Sequence, residues 1–222
     1  MPTRTARSPV TSFAAVCATD SPQGSRRISV QGSADEELIA LVRRRDREAF
    51  GTLLNRYLNG MHRYVLRMTG SSADAEEITQ EAFLRVWQKA HTYKPAHGKV
   101  STWLYRIAHN LCVDDFRKPR PNPDSEAVEA AVDVTENFDA AVHRDEQMAT
   151  LHAALASLPE NQRSALMLCQ VQGFSNREAA TVLGVGVRAL ESLLARARRN
   201  VRAAFDDVAT SGQTKGSSNE HR

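Results

Sequence analysis

Apolar residues recur at three- and four-residue steps through the first half of the chain. Phe50, Leu53, Leu54, Tyr57, Met61, Tyr64, Val65 and Met68 fall on one stripe of a long helix. Gly70-Ser71-Ser72 ends it, and Ser72 to Asp74 offers capping chemistry for a second helix. Ile78, Ala82, Phe83, Val86, Trp87 and Ala90 form that helix's apolar face. Pro95 and Gly98 interrupt the pattern, so 93–99 reads as a loop. Val100, Trp103, Leu104, Ile107, Ala108, Leu111 and Cys112 restart the stripe toward Phe116. Trp103 sits on that stripe and reads as core before it reads as a stacking platform. Nothing alternates like a strand. The pattern predicts one helical domain over 34–118, preceded by a polar, disordered tail over 1–33.

Pro119, Pro121 and Pro123 then stop regular structure. Between Pro121 and Ala141 stand Asp124, Glu126, Glu129, Asp133, Glu136 and Asp139 with no Lys or Arg, so 119–143 reads as a flexible acidic linker. A second helical domain is expected over 144–207, followed by a fraying tail over 208–222. Leu151, Ala154, Leu155 and Leu158 face one way, Pro159-Glu160 opens the next helix, and Leu166, Leu168, Cys169 and Val171 add core. Gly173-Phe174 is a turn.

The segment from Ser175 to Arg199 carries the most specific local signal. Ser175 followed by Glu178 is a capping box, which starts a helix at Asn176. Ala179 and Ala180 are small where a second helix must cross closely. Gly184 supplies the positive φ of a tight inter-helix turn. Leu183, Val185, Leu190 and Leu193 or Leu194 close the core. This is a helix-turn-helix pattern, whose second helix enters the major groove. Its outward residues are Arg188, Glu191, Ser192, Ala195, Arg196 and Arg199. Arginines there can neutralise phosphates, and Arg188 can reach a guanine edge. An ordinary helical hairpin with a solvated arginine face fits the same residues. The fold class expected is all-α: two small helical domains joined by the linker.

Composition narrows the function. The net charge of +3 is mild, so the placement of charge matters more than its total. Cys17, Cys112 and Cys169 are too sparse for a disulfide framework or a thiolate zinc site and fit a reducing cytoplasm. No run of about 18 apolar residues spans a membrane. Arg26-Arg27 is followed by a stretch too polar for an export signal. Seven histidines form no HExxH motif, and Walker, GxGxxG and GxSxG signatures are missing. The expectation is a protein that is not an enzyme and takes no cofactor and no metal.

Two further blocks carry a family likeness. The run Asp74-Ala75-Glu76-Glu77-Ile78-Thr79-Gln80-Glu81-Ala82-Phe83-Leu84-Arg85-Val86-Trp87 resembles the polymerase-binding helix of the sigma-70 family. Ser101-Thr102-Trp103-Leu104-Tyr105-Arg106-Ile107-Ala108-His109-Asn110-Leu111 resembles that family's −10 element region, and the helix-turn-helix resembles its region 4. The two-domain economy resembles the extracytoplasmic-function (ECF) group. The resemblance implies an RNA polymerase sigma factor. Core RNA polymerase would be met at its β′ clamp helices and β flap, promoter DNA would be read, and an anti-sigma factor would hold the free chain.

The resemblance also implies roles. Asp74, Glu77, Gln80, Glu81 and Arg85 would meet the polymerase. His97, Lys99, Arg106, His109, Asn110, Arg117 and Lys118 would engage the −10 element. Ser175, Arg177, Arg188, Glu191, Ser192, Arg196 and Arg199 would engage the −35 element. The chain departs from the family pattern at Glu191, Leu193, Val100 and His109, which bears on the promoter sequence read. A stand-alone helix-turn-helix regulator and a helical scaffold adaptor are rivals; neither needs the block over 74–110.

Overall fold

The structure, a computed structural model, describes residues 32–118, 151 and 153–214. Residues 1–31 of the tail expected over 1–33, and the acidic linker over 119–143, lie outside the described residues. Within the described residues the backbone is helical between turns, with no strand.

Four helices make the first unit. α1 (Asp35–Arg43) begins with Asp35, Glu36 and Glu37, anions placed at the positive end of the helix dipole. α2 (Arg47–Thr69) is capped by Asp46, whose carboxylate accepts from the Ala49 amide at 2.9 Å, and ends on Gly70 in the left-handed conformation. α3 (Ser72–Lys89) is capped by Ser71, one residue earlier than its composition implied. α4 (Val100–Phe116) follows the loop as expected. The apolar stripes meet in a core containing Leu38, Leu53, Met61, Tyr64, Phe83, Val86 and Leu104, all at most 1% exposed. Each such side chain contributes roughly 1.5–3 kcal/mol on leaving water. The Arg43 guanidinium donates to the carbonyls of Ala90 and Tyr93, and the Tyr93 hydroxyl donates to the Gly98 carbonyl at 3.1 Å. These bonds fix the loop between α3 and α4.

The second unit opens with helical residues 153–157. Then come α5 (Glu160–Leu166), a π-helical continuation (Met167–Val171), α6 (Asn176–Leu183) and α7 (Val187–Thr214). The capping box is fully formed: the Ser175 hydroxyl accepts from the Glu178 amide, and the Glu178 carboxylate accepts from the Ser175 amide at 2.9 Å. Gly184 takes φ 68° at the turn. Leu158, Leu168, Ala179, Val182, Leu190 and Leu194 fill this core. Val171 and Val185, read from the sequence as core, are 44% and 36% exposed. The π turn rotates Val171 outward, and Val185 sits in the inter-helix turn. α7 runs to Thr214, seven residues beyond the expected boundary at 207.

The two units pack against each other. α6 lies on α4, and α5 and the π turn lie on α2. Tyr105 is 3% exposed and stands edge-on to Phe174 with ring centroids 5.0 Å apart. Its hydroxyl donates to Gln172 Oε1 at 2.6 Å, and Gln172 Nε2 donates to the Gly60 carbonyl at 3.2 Å. Gly60 is required for this approach, because a Cβ there would stand 2.8 Å from the Tyr105 hydroxyl. Arg163 donates to the Met68 carbonyl at 2.6 Å, near the negative end of α2, and also to the Ala156 and Leu158 carbonyls.

Candidate nucleic-acid interface

Three surfaces carry the residues singled out in the sequence. The first is the outer face of α7. Leu190, Leu194 and Ala197 turn inward, which leaves Arg188, Glu191, Ser192, Arg196 and Arg199 exposed on the opposite side. A major groove admits a helix presenting such a face. The Ser192 hydroxyl bonds back to the Arg188 carbonyl at 3.1 Å. Arg177 is exposed at the start of α6, while the Ser175 hydroxyl is engaged in the capping box.

The second surface is a cavity of about 380 Å³ beside the loop. Tyr93, Lys94, His97, Trp103, Arg106 and Asn110 line it. Trp103 is half-buried and tilted against Tyr93 at 5.8 Å, so it is part of the core and also of the cavity wall. Aromatic walls with nearby donors and cations suit an unstacked base. Three of the seven −10 candidates, His97, Arg106 and Asn110, come together here. The other four do not.

Lys99 turns to the second unit, where its ammonium pairs with Glu178 at 2.8 Å. The hydrogen bonds from Lys99 and Ser175 hold the Glu178 carboxyl down to about 2. Arg117 and Lys118 lie at the far end of α4, and Lys118 pairs with Asp115 at 3.2 Å. His109 is the clearest correction. It is 4% exposed, with Nδ1 3.1 Å from the Tyr64 hydroxyl and 3.4 Å from the Ser164 hydroxyl of α5. Burial pushes its pKa down to about 4. It therefore stands neutral inside the contact between the units and offers no charge to DNA there.

The third surface is a groove of about 410 Å³ between α3 and α4. Glu77, Gln80, Glu81, Arg85 and Lys118 line it, with Glu81 and Arg85 paired at 2.8 Å across one helical turn. Asp74 lies half-buried at the start of α3, where its amide donates to the Ser71 hydroxyl. Leu84 is 41% exposed among these polar residues. Sequence reading passed over it; the available signal was an apolar residue standing off the Ile78/Phe83 stripe. An exposed apolar side chain ringed by charge suits a protein partner better than a nucleic acid. Among the described residues no group of three or more His, Cys, Asp or Glu could hold a metal ion, and no helix is long and apolar enough to cross a membrane.

Comparison with known proteins agrees with this division. Residues 53–121 match the model of Sigma-70 region 2, and residues 148–201 match that of Sigma-70, region 4. The chain is 31% identical to RNA polymerase sigma-H factor of Pseudomonas aeruginosa, over 78% of this chain and 95% of that protein. It is 32% identical to ECF RNA polymerase sigma factor SigM of Mycobacterium tuberculosis, over 74% and 81%. In fold it is similar to CnrH in complex with the cytosolic domain of CnrY (TM-score 0.61, 24% identity, 79% of this chain and 99% of that one). It is also similar to RpoE of Bartonella quintana in complex with the anti-sigma factor NepR (TM-score 0.56, 23% identity, 71% and 96%). With the first unit in region 2, the helix-turn-helix in region 4 and both in this order, the chain belongs to the sigma-70 family, in its ECF group.

Proposed function

We propose that the chain joins core RNA polymerase and directs initiation at a defined set of promoters. The α3 face bearing Glu77, Gln80, Glu81 and Arg85, with Leu84 at its centre, meets the β′ clamp helices, and region 4 meets the β flap. Arg188, Glu191, Ser192, Arg196 and Arg199 engage the −35 element. His97, Arg106 and Asn110 receive an unpaired base of the −10 element in the cavity beside the loop. An anti-sigma factor is the partner proposed for the free chain. Bond-making chemistry belongs to the polymerase.

The observation that carries this reading is the separation of surfaces. An exposed arginine face on α7, an aromatic-walled cavity and an apolar-centred groove lie on different parts of one chain. Run-off transcription with purified core polymerase tests it. The chain should confer start-site selection. Arg188→Ala with Arg196→Ala should weaken promoter complexes at least tenfold, as expected for lost base-edge and phosphate contacts. Polymerase association should survive. Simultaneous loss of both bindings would refute the division of labour.

A further inference from the structure

The outward side of α7 carries one residue whose charge opposes that of its partner. Arg188, Glu191, Ser192 and Ala195 are exposed and fall within about 100° of one another around the helix axis, away from Leu190, Leu194 and Ala197. Arg196 and Arg199 flank them. A carboxylate on this side approaches a polyanion, and every phosphate disfavours it. Nothing inside the protein offsets that repulsion. Glu191 is the fifth residue of α7, past the first turn, where an acid would favour the helix dipole. Arg188 stands one turn earlier, yet no ion pair joins the two. Among the described residues Glu191 has neither an ion-pair nor a hydrogen-bond partner.

The major groove offers hydrogen-bond donors at two kinds of base edge, the N4 amino group of cytosine and the N6 amino group of adenine. Guanine and thymine present acceptors there, which repel a carboxylate. Adenine's amino group sits beside the N7 acceptor, so cytosine is the better partner of the two. Ser192 points the same way. Its hydroxyl hydrogen is committed to the Arg188 carbonyl at 3.1 Å, which leaves the oxygen as an acceptor. Arg188 carries only donors and suits the O6 and N7 of guanine. The rise from Arg188 to Glu191 is about 4.5 Å, a little more than one base step of about 3.4 Å. The two side chains therefore reach neighbouring pairs.

We propose that Glu191 is a specificity-determining residue of the −35 contact: its carboxylate accepts from the N4 amino group of a cytosine next to the pair read by Arg188, and it rejects guanine and thymine at that position. The proposal rests on the sigma-factor reading, which places this side of α7 against the −35 element. Glu191 adds selectivity and lowers affinity. Phosphate repulsion acts on every duplex alike, whereas the amino contact forms on the matched one alone. Arg196 and Arg199 supply the sequence-independent attraction that offsets the repulsion.

The test joins the full chain to core polymerase and lets that holoenzyme select promoter fragments with a randomised −35 element at fixed salt. Wild type, Glu191→Gln and Glu191→Ala are compared by sequencing the bound fragments. Glu191 is exposed, so all three chains should melt alike. Wild type should enrich cytosine at one position about tenfold over the other bases. Glu191→Gln, whose amide both donates and accepts, should move that one position to adenine, which it meets at N6 and N7. Glu191→Ala should level the position and hold unmatched fragments more tightly, with every other position unchanged. The same preference in all three chains, or no cytosine at the position that changes, would overturn the proposal. A holoenzyme that enriches no sequence and starts no transcript would defeat the sigma-factor reading instead. The pool is then offered to the full chain alone. A shift from cytosine to adenine in Glu191→Gln would still support Glu191 as the reader, and an unshifted pool would overturn it.

Discussion

Acid should open the contact between the two regions, and His109 sets how steeply. Its imidazole is buried between Tyr64 and Ser164, and burial holds its pKa near 4 in the closed chain. Once region 4 leaves and water reaches the ring, the ordinary value of about 6.5 returns. A group with a depressed histidine pKa binds its proton in the open state first. The closed state is therefore undisturbed above about pH 6.5 and loses ground as pH falls from there toward 4. Taking 6.5 and 4 as the two values, the penalty on closure is about 0.2 kcal/mol at pH 7 and about 2 kcal/mol at pH 5. The closed-to-open ratio should fall about twentyfold between those conditions, a ceiling reached when opening fully hydrates the ring. Two carboxyls modulate this. Glu160, raised by burial, favours closure as it gains a proton, and Glu178, held near 2 first by its hydrogen bond from Lys99, opposes closure as the pH falls into the ordinary carboxylate range and on toward 2. Energy transfer between dyes at Glu48→Cys and Ala203→Cys, both exposed, run from pH 7.5 to 5 with Cys17 and Cys169 changed to Ser, should fall with a slope of at most one proton. His109→Gln, which keeps a hydrogen-bonding amide but cannot titrate, should flatten the curve. An unchanged curve in that variant would refute the assignment.

Three further outcomes follow from the same geometry. Gly60→Ala should loosen the contact between the regions because its methyl would meet the Tyr105 hydroxyl at 2.8 Å, and adding Tyr105→Phe should relieve the clash while still lacking the Gln172 bond; thermal melts and energy transfer of the single and double variants check this. Ser175→Ala removes the capping box of α6 and should cost about 1 kcal/mol of stability in urea unfolding, with DNA affinity falling only as far as folding does. Phe83→Ala, at a 1% exposed position in region 2, should cost about 3–5 kcal/mol and abolish polymerase association through unfolding, readable as lost helix content.

Local chemistry made most of the secondary structure readable from residues alone. The stripe from Phe50 to Met68 became α2, Gly70 and Gly184 stopped their helices in the left-handed conformation, and Ser175 with Glu178 opened α6. The outward set on α7 was legible for the same reason, since a helix has only one way to bury Leu190 and Leu194. The packing between the units was not legible. Gly60 and Gln172 are 112 residues apart and Tyr105 and Gln172 are 67 apart, and no local period reports such partners. His109 shows the cost. On its helix it neighbours Arg106 and Asn110, which face the cavity, yet the surface it points to is covered by α5. Lys118 was grouped with the −10 set by its sequence neighbours, whereas its ammonium lies in the groove with Glu81 and Arg85.

The π turn over Met167–Val171 has a consequence for length changes in this part of the chain. Its closing bond runs from the Gln172 amide to the Met167 carbonyl at 3.0 Å, so it accommodates one residue more than an α-helical turn would. Removing a single residue there would let the segment close as an ordinary α-helical turn, with the residues after it kept close to their present rotational phase. Gln172 would keep its side of the helix toward Gly60, and α6 and α7 would keep their own packing. A one-residue deletion, usually read as damage, would here be absorbed within one turn.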